Sequence, residues 1–375
     1  MKIQILQKKL KEGLNIVEKI SSKSLTLPIL NNILFSTEKN FLKLTTTDLE
    51  IGINFWILAK IEKEGKITVP SRLCSSFVNL LPDKKIDLEV KNNDLIINCE
   101  NYKTKVKGLS AEEFPLIPNV EKIKSISFDA SLFCKNLNQI VDIASFSNSR
   151  PEISGIYFYL TKNSVITAAT DSFRLGEKKL TLKKSSLNEE CSFILLQKTV
   201  KELINIFGEK KGEITMFFSP NQVMFEYQME EVSHPQIQIV SRLIEGEYPN
   251  YQEIIPKKFT TEVILNRNDF LNQIKIASLF SGKINEVRFK INPKEKKLLI
   301  FSKNPDLGEY QSSVLGKIKG EALEISFNHK FFLDGLLNIN SSEVILELNG
   351  DSGPAIIKPV GDNTYIYVVM PIKTN

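Results

Sequence analysis

The sequence predicts an α+β fold built as three tandem domains of similar plan, each with two helices packed on antiparallel sheets. Three observations predict it. A chain of 375 residues is too long for one ordinary core. An order of helix, extended segments, helix and extended segments recurs three times along it. Finally, Thr46-Thr47-Asp48-Leu49 returns as Ala169-Thr170-Asp171-Ser172 at an offset of 123 residues, the length of one such repeat. These repeats are placed at 1–122, 123–250 and 251–375.

The first opens with Leu6, Leu10, Gly13, Leu14, Val17 and Ile20 at helical spacing, with Lys8, Lys11, Asn15 and Lys19 on the opposite face. Extended segments follow at Ile29–Ser36, Phe41–Thr47 and Glu50–Ala59. Ile67-Thr68-Val69 then leads through Pro70-Ser71 into a second helix whose buried side is expected to hold Leu73, Phe77, Leu80 and Leu81. Pro82-Asp83 stops it. Strands at Ile86–Val90 and Leu95–Cys99 precede Tyr102–Lys107, where Lys103, Lys105 and Lys107 alternate with Thr104 and Val106. That segment reads as a charged edge strand protected against aggregation.

In the second repeat a helix over Ser131–Phe146 buries Phe133, Leu137, Ile140, Val141 and Ala144, and strands follow at Ile156–Leu160 and Val165–Ala168. Lys178–Leu182 leaves the Thr170–Gly176 turn as a further extended segment. Val69–Leu81 aligns with Leu195–Phe207 at an offset of 126, and Glu113-Phe114-Pro115 is echoed by Glu247-Tyr248-Pro249. The third repeat begins with a helix over Asn268–Ser281 and strands at Val287–Ile291 and Leu298–Ser302. A helix over Asn328–Leu337, using Phe332, Leu333, Leu336 and Leu337, and three closing strands complete it. Here Asn304-Pro305-Asp306-Leu307 replaces the Thr-Asp step.

Composition is that of an ordinary globular protein, 42% hydrophobic and 25% charged. The net charge of +5 is modest and no repeat carries a large basic excess, so any nucleic-acid contact must come from local placement of lysines. Cys74, Cys99, Cys134 and Cys191 lie far apart without a CxxC pair, and His234 and His329 add little to a ligand set. Neither a disulfide framework nor a metal site is expected, and a reducing cytoplasm is the expected setting. The N-terminus shows no apolar signal core, and the apolar run Ile53–Ala59 is too short to span a bilayer.

Phosphate-cradling, hydrolase-elbow, dinucleotide and zinc-protease motifs are absent, and no cofactor is expected. Asp171 and Arg174 can be read as a catalytic acid and anion clamp of a hydrolase. A turn in which Asp171 accepts backbone N–H bonds or pairs with Arg174 explains the same residues by local structure. A sequence-specific DNA reader is the other alternative, but it needs side chains aimed at base edges. The helices instead offer Arg72, Lys135, Lys198, Lys201, Lys275 and Lys330, residues suited to phosphates.

Thr170-Asp171-Ser172-Phe173-Arg174-Leu175-Gly176, the surrounding repeats and the tail Val368-Val369-Met370-Pro371-Ile372 together resemble the bacterial DNA polymerase III beta subunit, the sliding clamp, over the whole chain. The resemblance implies two chains head to tail in a closed ring, helices lining the hole and sheets outside. It implies no reaction of the ring's own, a non-specific hold on double-stranded DNA, and a clamp loader that opens the ring. Candidate DNA-facing residues are Lys8, Lys11, Lys19, Lys23, Arg72, Lys135, Lys198, Lys201, Lys275 and Lys330. The dimer contact falls on Lys103, Lys105 and Lys107 against Asp306 and Glu309.

The resemblance also implies a pocket for short peptides of the polymerase alpha subunit, the clamp loader, other polymerases and repair proteins. Its residues are Arg150, Ile153, Thr170, Ser172, Phe173, Arg174, Leu175, Pro249, Ile254, Phe331, Pro354, Val368, Val369, Met370, Pro371 and Ile372. Removing Val368 to Asn375 is expected to abolish partner binding alone. Two positions depart from the pattern. Ser24 and Glu253 stand where relatives often carry basic residues, with Lys23 able to substitute for the first.

Overall fold

The alternating and helical patterns fold into the elements of a computed structural model that describes residues 1–21, 26–145, 149–182 and 184–373. In the first third, β1 (Lys2–Leu6) leads into α1 (Gln7–Val17), then β2 (Asn32–Glu38), β3 (Phe41–Thr47), β4 (Ile51–Leu58), β5 (Lys60–Lys63) and β6 (Lys66–Pro70). Helix α2 (Ser71–Leu80) precedes β7 (Lys85–Lys91), β8 (Asp94–Cys99) and β9 (Tyr102–Lys107). The middle third holds β10 (Ser125–Asp129), α3 (Ala130–Asn138), β11 (Gly155–Leu160), β12 (Ser164–Thr170), β13 (Arg174–Thr181), β14 (Lys184–Ser185) and β15 (Cys191–Leu196). It closes with α4 (Gln197–Phe207), β16 (Glu213–Ser219), β17 (Gln222–Gln228) and β18 (Pro235–Ile244). The last third has β19 (Thr261–Asn266), α5 (Arg267–Ser278), β20 (Glu286–Asn292), β21 (Lys297–Asn304), β22 (Gly308–Gly320) and β23 (Leu323–Asn328). After it come α6 (His329–Leu337), β24 (Glu343–Leu348), β25 (Ala355–Pro359) and β26 (Tyr365–Val369).

Contacts gather these elements into two compact units, and the middle third is shared between them. The first unit comprises Met1–Phe133, Leu182–Asn188 and Glu202–Leu243. One of its sheets runs β5-β1-β7-β8-β9, antiparallel throughout, with β9 at an edge. The other runs β6-β2-β3-β4-β18-β17-β16-β10-β14. Strand β4 is buried on both faces up to Ile57, which explains its unbroken apolar run. Helix α1 lies close on this sheet because Gly13 has no side chain; a Cβ there would stand 2.9 Å from Phe55.

The second unit comprises Cys134–Thr181, Glu189–Lys201 and Ile244–Asn375. Its strands run β15-β11-β12-β13-β26-β25-β24-β19-β22-β21-β20-β23. Helices α5 and α6 pack together over rings of Phe270, Phe289, Phe327 and Phe332, with centroids 4.9–5.7 Å apart.

Several expectations need correction. The chain begins with a strand, not a helix: Leu6 ends β1 and is exposed, because β1 is needed to join β5 to β7. On α2 the buried residues are Ser71, Cys74, Ser75 and Val78, while Leu73 and Leu80 are exposed at 57% and 84%. Small residues let that helix sit close, which turns its larger leucines outward. Helix α3 stops at Asn138, and Val141–Ile143 continues as a 3₁₀ turn, although Leu137, Ile140, Val141 and Ala144 are buried as expected. Leu337, at the last position of α6, is exposed.

Burial pushes the Cys74 and Cys134 thiols up to about 12, whereas Cys191 is only half-buried. The thiolate is the reactive form, so iodoacetamide at about pH 8 is expected to label Cys191 first. Cys74 and Cys134 should be modified only in denaturant, as read by peptide mass spectrometry.

Candidate functional site

The site grows from the hairpin between β12 and β13. The Thr170 hydroxyl donates to the Arg174 carbonyl at 2.7 Å and accepts the Ser172 N–H at 3.1 Å. Asp171 Oδ1 accepts the N–H groups of Phe173 and Arg174, both at 3.0 Å. Ser172 sits in the left-handed region at φ +77°, a conformation non-glycine residues adopt at some strain. The side-chain bonds hold it there.

The first unit contains the same turn. The Thr47 hydroxyl donates to the Ile51 carbonyl at 2.8 Å and accepts the Leu49 N–H at 3.0 Å. Asp48 Oδ1 accepts from Glu50 and Ile51, and Leu49 has φ +78°. The aspartate is therefore a turn residue in both copies, and the catalytic-acid reading of Asp171 loses its ground. What distinguishes the second turn is Arg174, where the first has Ile51.

Arg174 is anchored from several sides. Its Nε donates to Asp171 Oδ2 at 2.9 Å, one Nη pairs with Asp334 of α6 and the other donates to the Asp142 carbonyl at 3.1 Å. The guanidinium lies over the Phe331 ring at 5.0 Å. Burial works against its charge, but Tyr367 and Asp171 outweigh that and hold it firmly protonated.

Around this arginine the sheet assembles an apolar surface. Register sets Arg174 opposite Val369 and Leu175 opposite Val368, with Ala355, next to Pro354, opposite Val369 on the other side. The Met370 N–H donates to the Phe173 carbonyl at 2.9 Å, and Phe173 stacks on Phe331. Beneath lie Ala168, Leu175, Tyr251, Ile356 and Val368, with Tyr157 and Tyr248 packed alongside. Pro249 adjoins Tyr248, and its carbonyl accepts a hydrogen bond from the Tyr251 N–H at 2.7 Å. Arg150 donates to Ser172 Oγ at 3.1 Å.

The sixteen predicted pocket residues thus divide. Leu175, Val368, Val369 and Ile153 are buried and form floor or core, while Phe173, Ile254 and Met370 are the exposed apolar ones. Pro371 bridges to Phe327 and the Ile372 N–H donates to Ser326, so the tail is pinned. The Ile254 N–H donates to the carbonyl of Tyr251, a floor residue, and the Ile153 N–H to the carbonyl of Arg150. The tail is not the removable appendage expected from the sequence: Val368 and Val369 belong to β26, paired on both sides, and deleting them would open the core. Glu253, one of the departures, accepts a hydrogen bond from Asn250. Asp334, Tyr248, Tyr251 and Tyr367 were missed. Only Asp334 left a signal, three residues after Phe331 and so on the same helical face.

Models of the DNA polymerase III beta subunit match the chain three times: the N-terminal domain over residues 1–118, the central domain over 128–250 and the C-terminal domain over 252–373. The chain belongs to the DNA polymerase III beta subunit family. Among curated relatives, the beta sliding clamp of Staphylococcus epidermidis is 29% identical over 371 residues, covering 96% of each chain. That of Synechococcus elongatus is 26% identical, covering 100% of this chain and 99% of the relative. The DNA polymerase sliding clamp structure from Bacillus subtilis superposes with TM-score 0.94 at 28% identity, and the beta subunit from Thermotoga maritima with 0.91 at 27%, each covering both chains fully.

In this member of the family the basic residues singled out lie on or beside the helices. Lys8 and Lys11 are on α1, Lys19 just after it, Arg72 on α2, Lys135 on α3, Lys198 and Lys201 on α4, Lys275 on α5 and Lys330 on α6. Lys11 and Lys201 are half-buried and the others exposed. Lys201 is paired with Asp142 at 2.9 Å, and Lys19 donates to the Asn205 carbonyl. Lys23 and Ser24 lie outside the described residues.

Each unit has several strands paired on one side only, and in each unit one such edge carries the residues expected at a dimer contact. In the first it is β9, where Lys103, Lys105 and Lys107 are exposed and Val106 is buried. Lys105 also reaches Asp94 of its own sheet. In the second it is the first part of β22: Gly308–Leu315 pairs with β21 alone, while Gly316–Gly320 pairs with β19. Glu309 lies on that open stretch and Asp306 in the turn before it.

Replacing Asp171 by Ala removes the acceptor of two backbone N–H groups and the partner of Arg174. It is expected to destabilise the protein by about 1–3 kcal/mol, and more than Asp48→Ala, because the second turn carries Arg174 where the first carries Ile51. Urea unfolding midpoints of the two variants check this.

Proposed function

We propose that two copies of this chain close head to tail into a ring around double-stranded DNA and tether replication proteins through the apolar surface beside Arg174. A member of this family is a sliding clamp, the processivity subunit of a DNA polymerase, and it carries out no reaction of its own. The observation that carries the ring is the pair of open edges, basic on β9 and bearing Glu309 on β22. Pairing them would satisfy both rows of backbone groups, and a head-to-tail contact must either close or polymerise. Leu315, 71% exposed on the open part of β22, offers apolar surface to such a joint. Exposed ion pairs such as Lys103 or Lys107 with Asp306 would add only ~0.2–1 kcal/mol each. The three domains are taken as 1–122, 123–250 and 251–375, a division supported by the repeated turn.

DNA contact is assigned to the helix lysines and Arg72. Such contacts give salt-sensitive attraction without base readout, which suits a protein that must slide. The peptide site is assigned to Phe173, Ile254 and Met370 over the buried Leu175–Val368 floor, with Arg150, Ser172 and Arg174 at the polar rim. Its partners are short segments of the polymerase alpha subunit, the clamp loader and other polymerases or repair proteins.

Light scattering at micromolar concentration is expected to give the mass of a dimer, and Leu315→Asp to give a monomer; a wild-type monomer would sink the ring. On circular duplex, after loading with loader and ATP, the protein should survive a high-salt wash and leave when the circle is cut. Equal release from circular and linear DNA would rule out topological tethering.

A further inference from the structure

The first unit repeats more of the site than its turn. Gly52 stands opposite Val240 as Leu175 stands opposite Val368. The Arg242 N–H donates to the Glu50 carbonyl at 2.9 Å, as that of Met370 does to Phe173. Val223 pairs with Ser241 as Ala355 pairs with Val369, so Gln222 answers to Pro354. At this junction the first unit contains a hollow of about 250 Å3, lined among others by Thr47, Leu49, Pro115, Val240 and Arg242.

We infer that this hollow is a second partner-binding groove, which takes an extended peptide with one apolar anchor and a carboxylate beside it. This rests on the proposed peptide role of the Arg174 surface. An apolar floor is present but built differently. Leu175 rises from β13 in the second unit, whereas Gly52 leaves that place empty and Ile117 of the following loop fills it. A Cβ on Gly52 would lie 2.5 Å from Ile117 Cδ1. Ile117 is itself packed on Val120, Met224 and Val240. Leu49, 47% exposed, and Leu116, 95% exposed, give the anchor its walls.

The rim sets the chemistry. Where the second unit presents Phe173 and Met370, the first presents Glu50 and Arg242, both exposed. A wholly apolar segment would lose two walls there, while a carboxylate next to the anchor would meet the Arg242 guanidinium. The same fold would then sort two kinds of peptide, each disfavoured in the other groove.

Photo-cross-linking of the intact chain tests this with two short peptides. Each carries a benzophenone side chain in place of its aromatic anchor, one flanked by aspartates and the other by glutamines, and adducts are located by mass spectrometry. The aspartate peptide is expected to label residues 47–52 or 115–118. That adduct should fall about tenfold in Arg242→Glu or Leu116→Asp, both at exposed positions, and be unchanged in Met370→Asp. The glutamine peptide should label residues 170–175 or 368–371 and respond only to Met370→Asp. The inference is overturned if the aspartate peptide labels only the second-unit surface, labels nothing, or ignores Arg242→Glu. Absence of any label at 170–175 or 368–371 from either peptide would instead overturn the role proposed for the Arg174 surface.

Discussion

Main-chain pairing between successive repeats is the constraint on which the rest depends. Strand β4 leaves one repeat and pairs with β18 of the next, and β13 pairs in the same manner with β26. A strand edge buried without a partner would strand a row of N–H and C=O groups, so these junctions are as fixed as the sheets they join. They explain why the middle third is divided between two compact units. They leave β9 and the start of β22 each paired on one side only, with β8 and with β21, among the described residues.

The junctions also place the apolar surface beside Arg174. With β13 locked to β26, the turn before β13 and the tail after β26 must meet, and the Met370 N–H reaches the Phe173 carbonyl. The Thr-Asp turn is a structural device present twice. The two copies differ at few positions: Arg174 stands for Ile51, Phe173 and Met370 stand for Glu50 and Arg242, and Asp334 of α6 holds the arginine. Under the proposed function, the difference between the copies is a matter of which side chains decorate a repeated backbone, not of a new fold.

The distribution of charge follows the same economy. No repeat is strongly basic, yet every helix in the described residues carries at least one of the basic residues assigned to DNA. Weak, spread-out attraction is compatible with sliding, and strong local attraction is not. In the proposed ring, retention by topology would remove the need for tight contacts.

Much of this was legible in the sequence. Helical spacing found α1 and α5, alternation found β3 and β9, and the 123-residue offset found a turn whose hydrogen bonds are the same in both copies. Those signals are local: they depend on side chains a few residues apart or on direct repetition. The face of α2 was misread because periodicity counts large apolar residues, whereas close packing there selected Cys74, Ser75 and Val78. Strand β1 was missed because only its partners, β5 and β7, give it a reason to be extended. The sequence by itself determined the repeats, the turn chemistry and the identity of the arginine. Tertiary structure decided that Leu175 and Val368 are floor while Phe173 and Met370 are rim, because burial depends on strands nearly two hundred residues apart being paired in one register.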